Sequence, residues 1–476
     1  MSVLWTAKEA AAATGGKSTG SWSAYGVSID TRSIAKGDLF VALTDVRDGH
    51  DFVAQALENG AAAALVSRIP DGVPKDAPLL VVDDVLAALV ALGAAARART
   101  DAQVIAITGS VGKTTTKEML RAALKGQGRV HAAVMSLNNH WGLPLTLARM
   151  PRDTEYAILE IGMNHPGEIT PLSKLARPHV VLITTVAEAH MAAFDSIEDI
   201  ARAKAEIFDG LEPGGTAILN LDISTYNLLA QATNQKGARI VTFGESPGAD
   251  FRLSDVSYNN GATTVQAITN GRPCLYKIGA PGRHLAVNGM AVLAAVDAVG
   301  ADQVMATLDL GQWQPPQGRG ARHWIALDPI EEDQRFELID DAYNANPASM
   351  AAAFEVLAGS TPVDGLGRVK KGRRVAFLSD MLELGNDAAE RHAALAQLPA
   401  LKSANVVHVA GDMMHHLHKA LSAEQQGEWH DSAEKLAARV HRLLDAGDVV
   451  MVKGSKGSRA SLVVDAIKKL GQANKK

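Results

Sequence analysis

Short apolar runs alternate with amphipathic segments from the beginning of the chain. In the first part, the pattern predicts strands at residues 38–43, 61–66 and 79–82, and helices at residues 52–60 and 85–99. Turn-forming proline, aspartate and glycine residues separate the second and third of these strands. The first part of the chain therefore reads as a unit of mixed α/β structure.

A second series of strands and helices follows. Apolar runs predict strands at residues 104–107, 156–161, 180–184 and 216–219, with helical segments between them. Strands that alternate with helices favour a mainly parallel sheet covered on both faces. Polar alternation over residues 250–278 instead predicts an antiparallel hairpin added to this unit.

The last third of the chain repeats the alternation of strands and helices. Buried strands are predicted at residues 375–378, 406–410 and 449–452. Residues 312–320 contain adjacent prolines and two glycines, which is typical of a linker. We therefore predict three α/β domains, over residues 1–84, 85–314 and 315–476.

Composition and charge narrow the function classes. The 476 residues include 47 basic and 52 acidic side chains, and this net charge of −5 argues against a general nucleic-acid-binding protein. The single cysteine, Cys274, excludes an intramolecular disulfide network and a cysteine-rich zinc site. Residues 1–20 lack the apolar core of a signal peptide, and no run of about 18 uncharged apolar residues predicts a membrane span. We expect a cytoplasmic protein with no nucleic-acid partner and no membrane span.

The most informative segment is T-G-S-V-G-K-T-T at residues 108–115, between a predicted strand and a predicted helix. Glycines in such a loop let backbone N–H groups surround phosphate oxygens, and the helix N-terminus favours the same negative charge. Lys113 would neutralise the β- and γ-phosphates and the Thr114 hydroxyl would bind Mg²⁺, although Ile107 stands where the complete motif has glycine. The nucleotide-binding residues predicted from this segment are Gly109, Ser110, Val111, Gly112, Lys113, Thr114 and Thr115.

Other polar residues follow predicted strands. Glu160 ends one strand, where an α/β sheet places ligand chemistry, so it is a candidate magnesium ligand; a helix cap or a solvated glutamate is the alternative. His190 follows the next strand and is a metal-ligand candidate only through its position opposite Glu160, since a lone histidine is more often structural. The local pattern around Lys204 indicates a solvated lysine on an amphipathic helix.

Three further segments each have two interpretations. Residues 340–347, D-D-A-Y-N-A-N-P, suit recognition of a small polar substrate or a capped turn before a helix, and the residues alone do not separate the two. Arg319 in the predicted linker could reach a phosphate when domains close, or lie free at the surface. The basic, glycine-rich residues 453–459 could bind a carboxylate or form a solvated turn.

Taken together, these motifs resemble the Mur ligase family of ATP-dependent amide-forming enzymes. The resemblance extends along the chain through residues 108–115, Glu160, His190, Lys204, Asn288, Arg319 and residues 340–347. Three segments are similar to the member that adds a D-alanyl-D-alanine dipeptide: residues 137–144 (L-N-N-H-W-G-L-P), 341–350 (D-A-Y-N-A-N-P-A-S-M) and 380–385 (D-M-L-E-L-G). The H-x-P and A-H-N-P patterns of relatives with other substrates do not occur at the second of these segments.

The resemblance implies a fold, a reaction and its partners. The fold would be an N-terminal α/β domain for the UDP end of the substrate, a central P-loop ATPase-type domain with a mainly parallel sheet, and a C-terminal Rossmann-like domain for the dipeptide. ATP, with Mg²⁺, would activate UDP-N-acetylmuramoyl-tripeptide as an acyl phosphate. D-alanyl-D-alanine would then attack it, as in peptidoglycan precursor synthesis. A monomer is expected.

The same resemblance implies roles for individual residues. The implied catalytic residues are Lys113, Glu160, His190 and Lys204. The implied magnesium ligands are Thr114, Glu160, His190 and, if CO2 carbamylates its amine, Lys204. The implied ATP contacts outside residues 108–115 are Asn288, Arg319 and Asp341. The implied substrate contacts are Ser28, Thr31, Arg32, Asn138, Asn139, Tyr343, Asn344 and Asn346, and either Ser455 or Ser458 would be the functional serine of residues 453–459.

Three alternatives remain open at this point. Another Mur-type ligase with a different acceptor is disfavoured by residues 341–347. A P-loop switch or motor that works through partners is disfavoured because the chain has no N-K-x-D guanine motif and lacks the leading glycine of the loop. An inactive scaffold is disfavoured because the implied catalytic set is intact. The third residue of the tripeptide, lysine or diaminopimelate, is not determined.

Overall fold

The computed structural model describes residues 2–472, except residues 75, 135, 189–192, 260, 329 and 332. Within these residues, three β-sheets of five, nine and six strands follow one another along the chain, together with a small two-stranded sheet. No helix in the described part of the chain is both long enough and apolar enough to cross a membrane.

The first region contains a five-stranded sheet packed against helices and a small two-stranded sheet formed by its first and third strands. Its strands are β1 (Trp5–Thr6), β2 (Lys17–Ser18), β3 (Ser23–Ala24), β4 (Gly26–Ser28), β5 (Asp38–Val41), β6 (Ala63–Val66) and β7 (Leu79–Val81). Its helices are α1 (Ala7–Thr14), α2 (Val53–Glu58) and α3 (Val85–Ala98). The sheet order is β2-β7-β6-β5-β4, with parallel pairing from β4 to β7, so the strands predicted in this region are confirmed.

The core of the first region includes residues from further along the chain. Helix α3 begins after Asp84, whose carboxylate accepts a hydrogen bond from Ala87 N at 2.8 Å. Leu89 of this helix is fully buried in the core of the five-stranded sheet. Leu145 belongs to the same core, and the indole of Trp5 donates a buried hydrogen bond of 2.8 Å to Ala148 O. The first sheet therefore shares its hydrophobic core with a helix of the second region.

The second region is a nine-stranded sheet covered by helices. Its strands are β8 (Gln103–Thr108), β9 (Val130–Ala132), β10 (Tyr156–Glu160), β11 (Val180–Ile183), β12 (Thr216–Asn220), β13 (Arg239–Gly244), β14 (Phe251–Asn259), β15 (Ala262–Thr269) and β16 (Arg272–Ile278). Its helices are α4 (Lys113–Lys125), α5 (Gly142–Ala148), α6 (Ile169–Ala176), α7 (Ile197–Ala205), α8 (Tyr226–Gln235), α9 (Arg283–Ala298) and α10 (Gln303–Gln312).

The position of β8 in this sheet creates the crevice at which the site forms. The sheet order is β16-β15-β14-β13-β12-β11-β8-β10-β9, parallel except at the β14–β15 and β15–β16 pairs. Alternate residues of β8 enter two cores, Ile105 on one face and Val104 on the other, which explains the continuous apolar run. The chain pairs β8 with β10 on one side and β11 on the other, so a crevice opens beyond the carboxyl ends of these strands.

The third region is a six-stranded sheet between helices. Its strands are β17 (Ala321–Ala326), β18 (Arg335–Asp341), β19 (Arg374–Ser379), β20 (Val406–Ala410), β21 (Gln426–His430) and β22 (Val449–Lys453). Its helices are α11 (Pro347–Ala358), α12 (Ala388–Ala394), α13 (Met414–Ala420), α14 (Ala433–Ala437), α15 (Val440–Leu443) and α16 (Ser461–Gln472). The order is β17-β18-β22-β19-β20-β21, and only the β17–β18 pair is antiparallel. The predicted α/β class with mainly parallel sheets is confirmed; the exact domain boundaries stay predictions.

His408 on β20 makes the stability of the third region depend on pH. Burial lowers its pKa to about 4, and its ring stacks on Phe377 with 4.9 Å between ring centroids. The pKa of His408 in the folded protein lies below that of an unfolded histidine, so protonation favours the unfolded state. The stability of the third region is therefore highest above about pH 6.5, and it decreases as the pH falls towards 4. We expect His408→Gln to change the pH dependence of the free energy of unfolding by about 3 kcal/mol over this interval. Urea unfolding of the two proteins, monitored through hydrogen exchange of the β20 amides, measures this difference in the free energy of unfolding.

Candidate active site

The loop of residues 109–112, called the phosphate loop below, joins β8 to α4 and is held in place by the segment after β11. Gly109 has φ +149°, and a Cβ on it would lie 1.9 Å from the Thr184 hydroxyl oxygen. That hydroxyl donates to Val111 O at 2.6 Å, and the Ser110 hydroxyl donates to Ala187 O at 2.9 Å. The loop is thus preformed, and glycine is required where it approaches β11 most closely.

The loop brings a lysine and an amide together at the start of α4. Lys113 Nζ donates to Gly109 O at 2.6 Å, and burial lowers the pKa of Lys113, assisted by the positive charge of Arg319 and opposed by Glu160. Gly112 has φ +89°, and a Cβ on it would come within 3.2 Å of the Asn288 side chain. Asn288 therefore lies against the phosphate loop, and its contact with ATP stays a prediction.

Oxygen ligands converge beside this loop. The Thr114 hydroxyl donates to Glu160 Oε2 at 2.8 Å, and Asn138 Nδ2 donates to Glu160 Oε1 at 2.7 Å. A hydroxyl and a carboxylate oxygen are ligands that suit Mg²⁺, which keeps several waters and needs few protein ligands. In the described part of the chain, no three His, Cys, Asp or Glu side chains cluster as a metal site. His190, the remaining histidine candidate, lies outside the described residues.

Lys204 is buried, so the local pattern that indicated a solvated lysine is wrong. Only 2% of the residue is exposed on α7. Its pKa lies well below the usual value because of burial and the nearby positive charge of Lys113. Small neighbours such as Ala203 and Ala205 give no apolar stripe to reveal this burial from the sequence.

Ser136 connects Arg319, which stacks on Tyr343 in the third region, to Thr114 at the start of α4. The Arg319 guanidinium stacks over the Tyr343 ring, 4.1 Å from its centroid, and donates to the Ser136 hydroxyl at 3.0 Å. The Ser136 and Thr114 hydroxyl oxygens are 3.1 Å apart. Of the two interpretations of Arg319, the structure supports reach towards the loop. The role of Ser136 was not predictable from the sequence, because a single serine in a loop carries no spacing pattern.

A partly buried ion pair joins the ends of β18 and β22. Lys453 Nζ donates to Asp341 Oδ2 at 2.7 Å and to Asn344 O at 3.0 Å. Burial raises the pKa of Asp341, while the positive charges of Lys453 and Arg319 oppose the rise. The basic residues 453–459 therefore do bind a carboxylate, within the chain itself.

The two serines of this segment have different contacts. The Ser455 hydroxyl donates to Ala345 O at 3.2 Å and accepts from Leu382 N at 3.0 Å. Ser458 instead shares a hydrogen bond of 2.7 Å with Ser379. Ser455 is thus the serine that contacts the segment following β18, and it connects that segment to residues 380–385.

Two predicted substrate contacts are used at helix starts. Asn346 caps α11, accepting from Ser349 N at 2.9 Å, and Pro347 is the first residue of that helix. Asn139 Oδ1 accepts from Gly142 N at 2.9 Å, where α5 begins. The capped-turn interpretation therefore holds for the end of residues 340–347, and substrate contact by these two asparagines stays a prediction.

A cavity of about 480 Å³ lies between the second and third regions. Its lining consists of Thr114, Glu118, Ser136, Pro316, Gln317, Gly318, Arg319, Asp340, Ala342, Tyr343, Ser461, Val464 and Asp465. The cavity thus combines a predicted magnesium ligand with the arginine and tyrosine of the third region, in a volume suited to a small ligand.

The predicted uridine-nucleotide residues do not line this cavity. Ser28 donates to Asp30 O at 3.1 Å, and Thr31 donates to Gln55 Oε1 at 3.3 Å. Arg32, whose side chain is 88% exposed, forms an ion pair of 2.6 Å with Asp30. These residues form a separate group at and after the end of β4, in which Ser28 is buried and Arg32 is exposed.

Comparison with known proteins identifies the family. Profiles described as Mur ligase family catalytic domain, Mur ligase middle domain and Mur ligase glutamate ligase domain match residues 23–86, 107–296 and 327–456. A Rickettsia prowazekii protein named UDP-N-acetylmuramoyl-tripeptide–D-alanyl-D-alanine ligase is 32% identical over 97% of this chain and 99% of its own length. The chain belongs to the Mur ligase family.

Solved structures of Mur ligases agree with this assignment. The crystal structure of MurF from Acinetobacter baumannii matches with a TM-score of 0.81 and 29% identity, over 98% of this chain and 99% of that one. MurF from Thermotoga maritima, solved in complex with ADP, matches with a TM-score of 0.76 and 26% identity, over 94% and 98% of the two chains. The three-domain Mur ligase architecture therefore applies to the whole chain.

The close approach of Gly109 to Thr184 is testable. We expect Gly109→Ala to weaken ATP binding at least about tenfold, because the added Cβ displaces the loop from β11. Gly20→Ala is the matched control, since Gly20 also has a positive φ, +136°, but a Cβ on it would meet no atom within 4 Å. Titration with a fluorescent ATP analogue measures both. Equal affinities in the two variants would contradict the steric argument.

Proposed function

We propose that this Mur ligase joins D-alanyl-D-alanine to UDP-N-acetylmuramoyl-tripeptide, forming the pentapeptide, ADP and phosphate. One observation carries the proposal: Thr114 at the phosphate loop and Arg319 with Tyr343 from the third region line a single cavity. The relatives that match over nearly the full chain are named for this reaction. We further propose that the protein works as a monomer in the cytoplasm.

Screening of negative charge is the first requirement of the proposed reaction. The substrate carboxylate must approach the γ-phosphate of ATP, so two anions meet. The loop of residues 109–112 and Lys113 would contact the phosphates from the second region, and Arg319 would do so from the third. The Ser110 N–H takes no part in this, because it donates to Thr185 O at 2.9 Å. Because Lys113 is partly buried, its charge would act on the phosphates with less solvent screening than that of a surface lysine.

Thr114 and Glu160 are the residues that would hold Mg²⁺. A bound magnesium ion would neutralise charge on the phosphoryl oxygens. Asn138 fixes the orientation of the Glu160 carboxylate, so this ligand is already positioned. Lys204 would complete the set after its amine adds to CO2, forming a carbamate and releasing one proton. The lowered pKa of Lys204 supplies the neutral amine that this addition needs.

Residues that follow β18 would receive the dipeptide. In the second step, the neutral amine of D-alanyl-D-alanine attacks the acyl carbon, the amide bond forms and phosphate leaves. Asp341 is held by Lys453, while Asn344 is exposed next to it. We assign Asp341 to ATP, and Tyr343 and Asn344 to the incoming substrate. Ser28, Thr31 and Arg32 are assigned to the uridine nucleotide.

The reaction itself is the first test. With Mg²⁺-ATP and UDP-N-acetylmuramoyl-tripeptide, we expect ADP and the nucleotide pentapeptide to appear together only when D-alanyl-D-alanine is present, scored by coupled ADP assay and mass spectrometry. Lysine- and diaminopimelate-containing tripeptides, run in parallel, show which third residue is used. ATP turnover that ignores both substrates would overturn the proposal, and ligation of a different amino acid would indicate another Mur-type ligase.

Lys204 provides a second test. We expect Lys204→Ala to lose at least about 99% of ligation, because a metal ligand disappears. Excess bicarbonate should not restore the variant, whereas a short-chain carboxylate should restore part of the activity by taking the place of the carbamate. Lys236→Ala, at a lysine that forms a surface ion pair with Asp209, is the control. Near-normal turnover of Lys204→Ala would remove Lys204 from the mechanism.

A further inference from the structure

Ser136 connects the third region of the chain to the predicted magnesium ligands. Its hydroxyl oxygen lies 3.0 Å from Arg319 Nη2 and 3.1 Å from Thr114 Oγ1. We propose that Ser136 is a positioning residue that couples the placement of Arg319 to the Thr114–Glu160 pair. The inference rests on the proposed function, since it concerns how the same site receives Mg²⁺-ATP.

The donors and acceptors fix the direction of every hydrogen bond in this chain of contacts. A guanidinium only donates, so Arg319 donates to Ser136. An ionised carboxylate only accepts, so the single hydroxyl proton of Thr114 points to Glu160. Ser136 must therefore donate its own proton to Thr114. One lone pair of the Thr114 oxygen is occupied by this bond and the other remains available to a metal ion.

Two hydrogen bonds within the second region lie on either side of Ser136 in the chain. Lys117, fully buried on α4, donates to Ala133 O at 2.7 Å. Gly162 N donates to Asn138 O at 2.8 Å. Ser136 therefore belongs to a segment that is attached to the second region at residues 133 and 138.

Arg319, by contrast, is placed by the third region and the linker. Its guanidinium stacks on Tyr343, and Gly318 O accepts a hydrogen bond of 3.0 Å from Tyr343 N. The Ser136 hydroxyl is thus where the second region meets the Arg319–Tyr343 unit. Without this hydroxyl, Arg319 keeps the stack but loses its direction towards the phosphate loop, and Thr114 loses the donor that orients it.

Nucleotide binding without turnover tests the proposal. We expect Ser136→Ala to raise the Kd of a Mg²⁺-bound, non-hydrolysable ATP analogue about tenfold, since it removes two hydrogen bonds, one of them charge-assisted. Ser136→Thr keeps the hydroxyl and should stay within about threefold of the native Kd. In an Arg319→Ala background, the effect of Ser136→Ala should shrink to about threefold or less, because the coupled partner is gone. Calorimetry measures each Kd, and thermal melting verifies folding.

The controls separate coupling from damage. Ser422→Ala removes an exposed hydroxyl far along the chain and should leave the Kd unchanged. Ser136→Cys keeps the side-chain size with a weak hydrogen-bonding group, so it replaces the alanine variant if that variant does not fold. An unchanged Kd in Ser136→Ala, or an equal effect in both Arg319 backgrounds, overturns the inference while ligation by the native protein still stands. A native protein that binds no nucleotide overturns the inference and the proposed function together.

Discussion

Positive charge buried with little matching negative charge is the constraint on which this site depends. Burial lowers the pKa of both Lys113 and Lys204; the charge of Arg319 adds to the effect at Lys113, and that of Lys113 adds to it at Lys204. Glu160 opposes the effect at Lys113, whereas Asp341 already pairs with Lys453. Burial of unpaired charge is costly, so the part of the crevice beside Lys113 favours ligands that bring negative charge, whereas Glu118, Asp340 and Asp465 line the adjoining cavity. A triphosphate meets this need, and the lowered pKa of Lys204 favours its neutral amine before such a ligand binds.

Two parallel sheets convert this constraint into a site. The carboxyl ends of β8 and β10 place the phosphate loop and Glu160 side by side, while the ends of β18 and β22 bring Asp341 to Lys453. Their neighbours in the chain, Thr114 after the loop and Asp340 and Tyr343 at and after the end of β18, line one cavity between the two sheets. Binding and catalysis therefore depend on how the two sheets are oriented, which gives side chains at their boundary an importance that neither sheet explains alone.

The features predictable from sequence were those with local causes. Continuous apolar runs predicted β8, β10 and β11 because strands buried on both faces show no polar interruption. The phosphate loop was recognisable because its glycines are required by backbone geometry within a few residues. Burial of Lys204 and the contacts of Ser136 were not predictable, since each depends on packing between segments distant in sequence. The same holds for Asn346, where only the structure separates a helix cap from a substrate contact.

The shared core of the first region has a consequence for synthesis on the ribosome. Trp5 is synthesised well before Ala148, yet its indole hydrogen bond is made to Ala148 O, and Leu145 completes the same hydrophobic core. The last strand of the N-terminal sheet ends at Val81, so the sheet must wait for more than sixty further residues before its core can close. During that interval its apolar face is open to chaperones, and a nascent chain that stalls before α5 would leave that face uncovered.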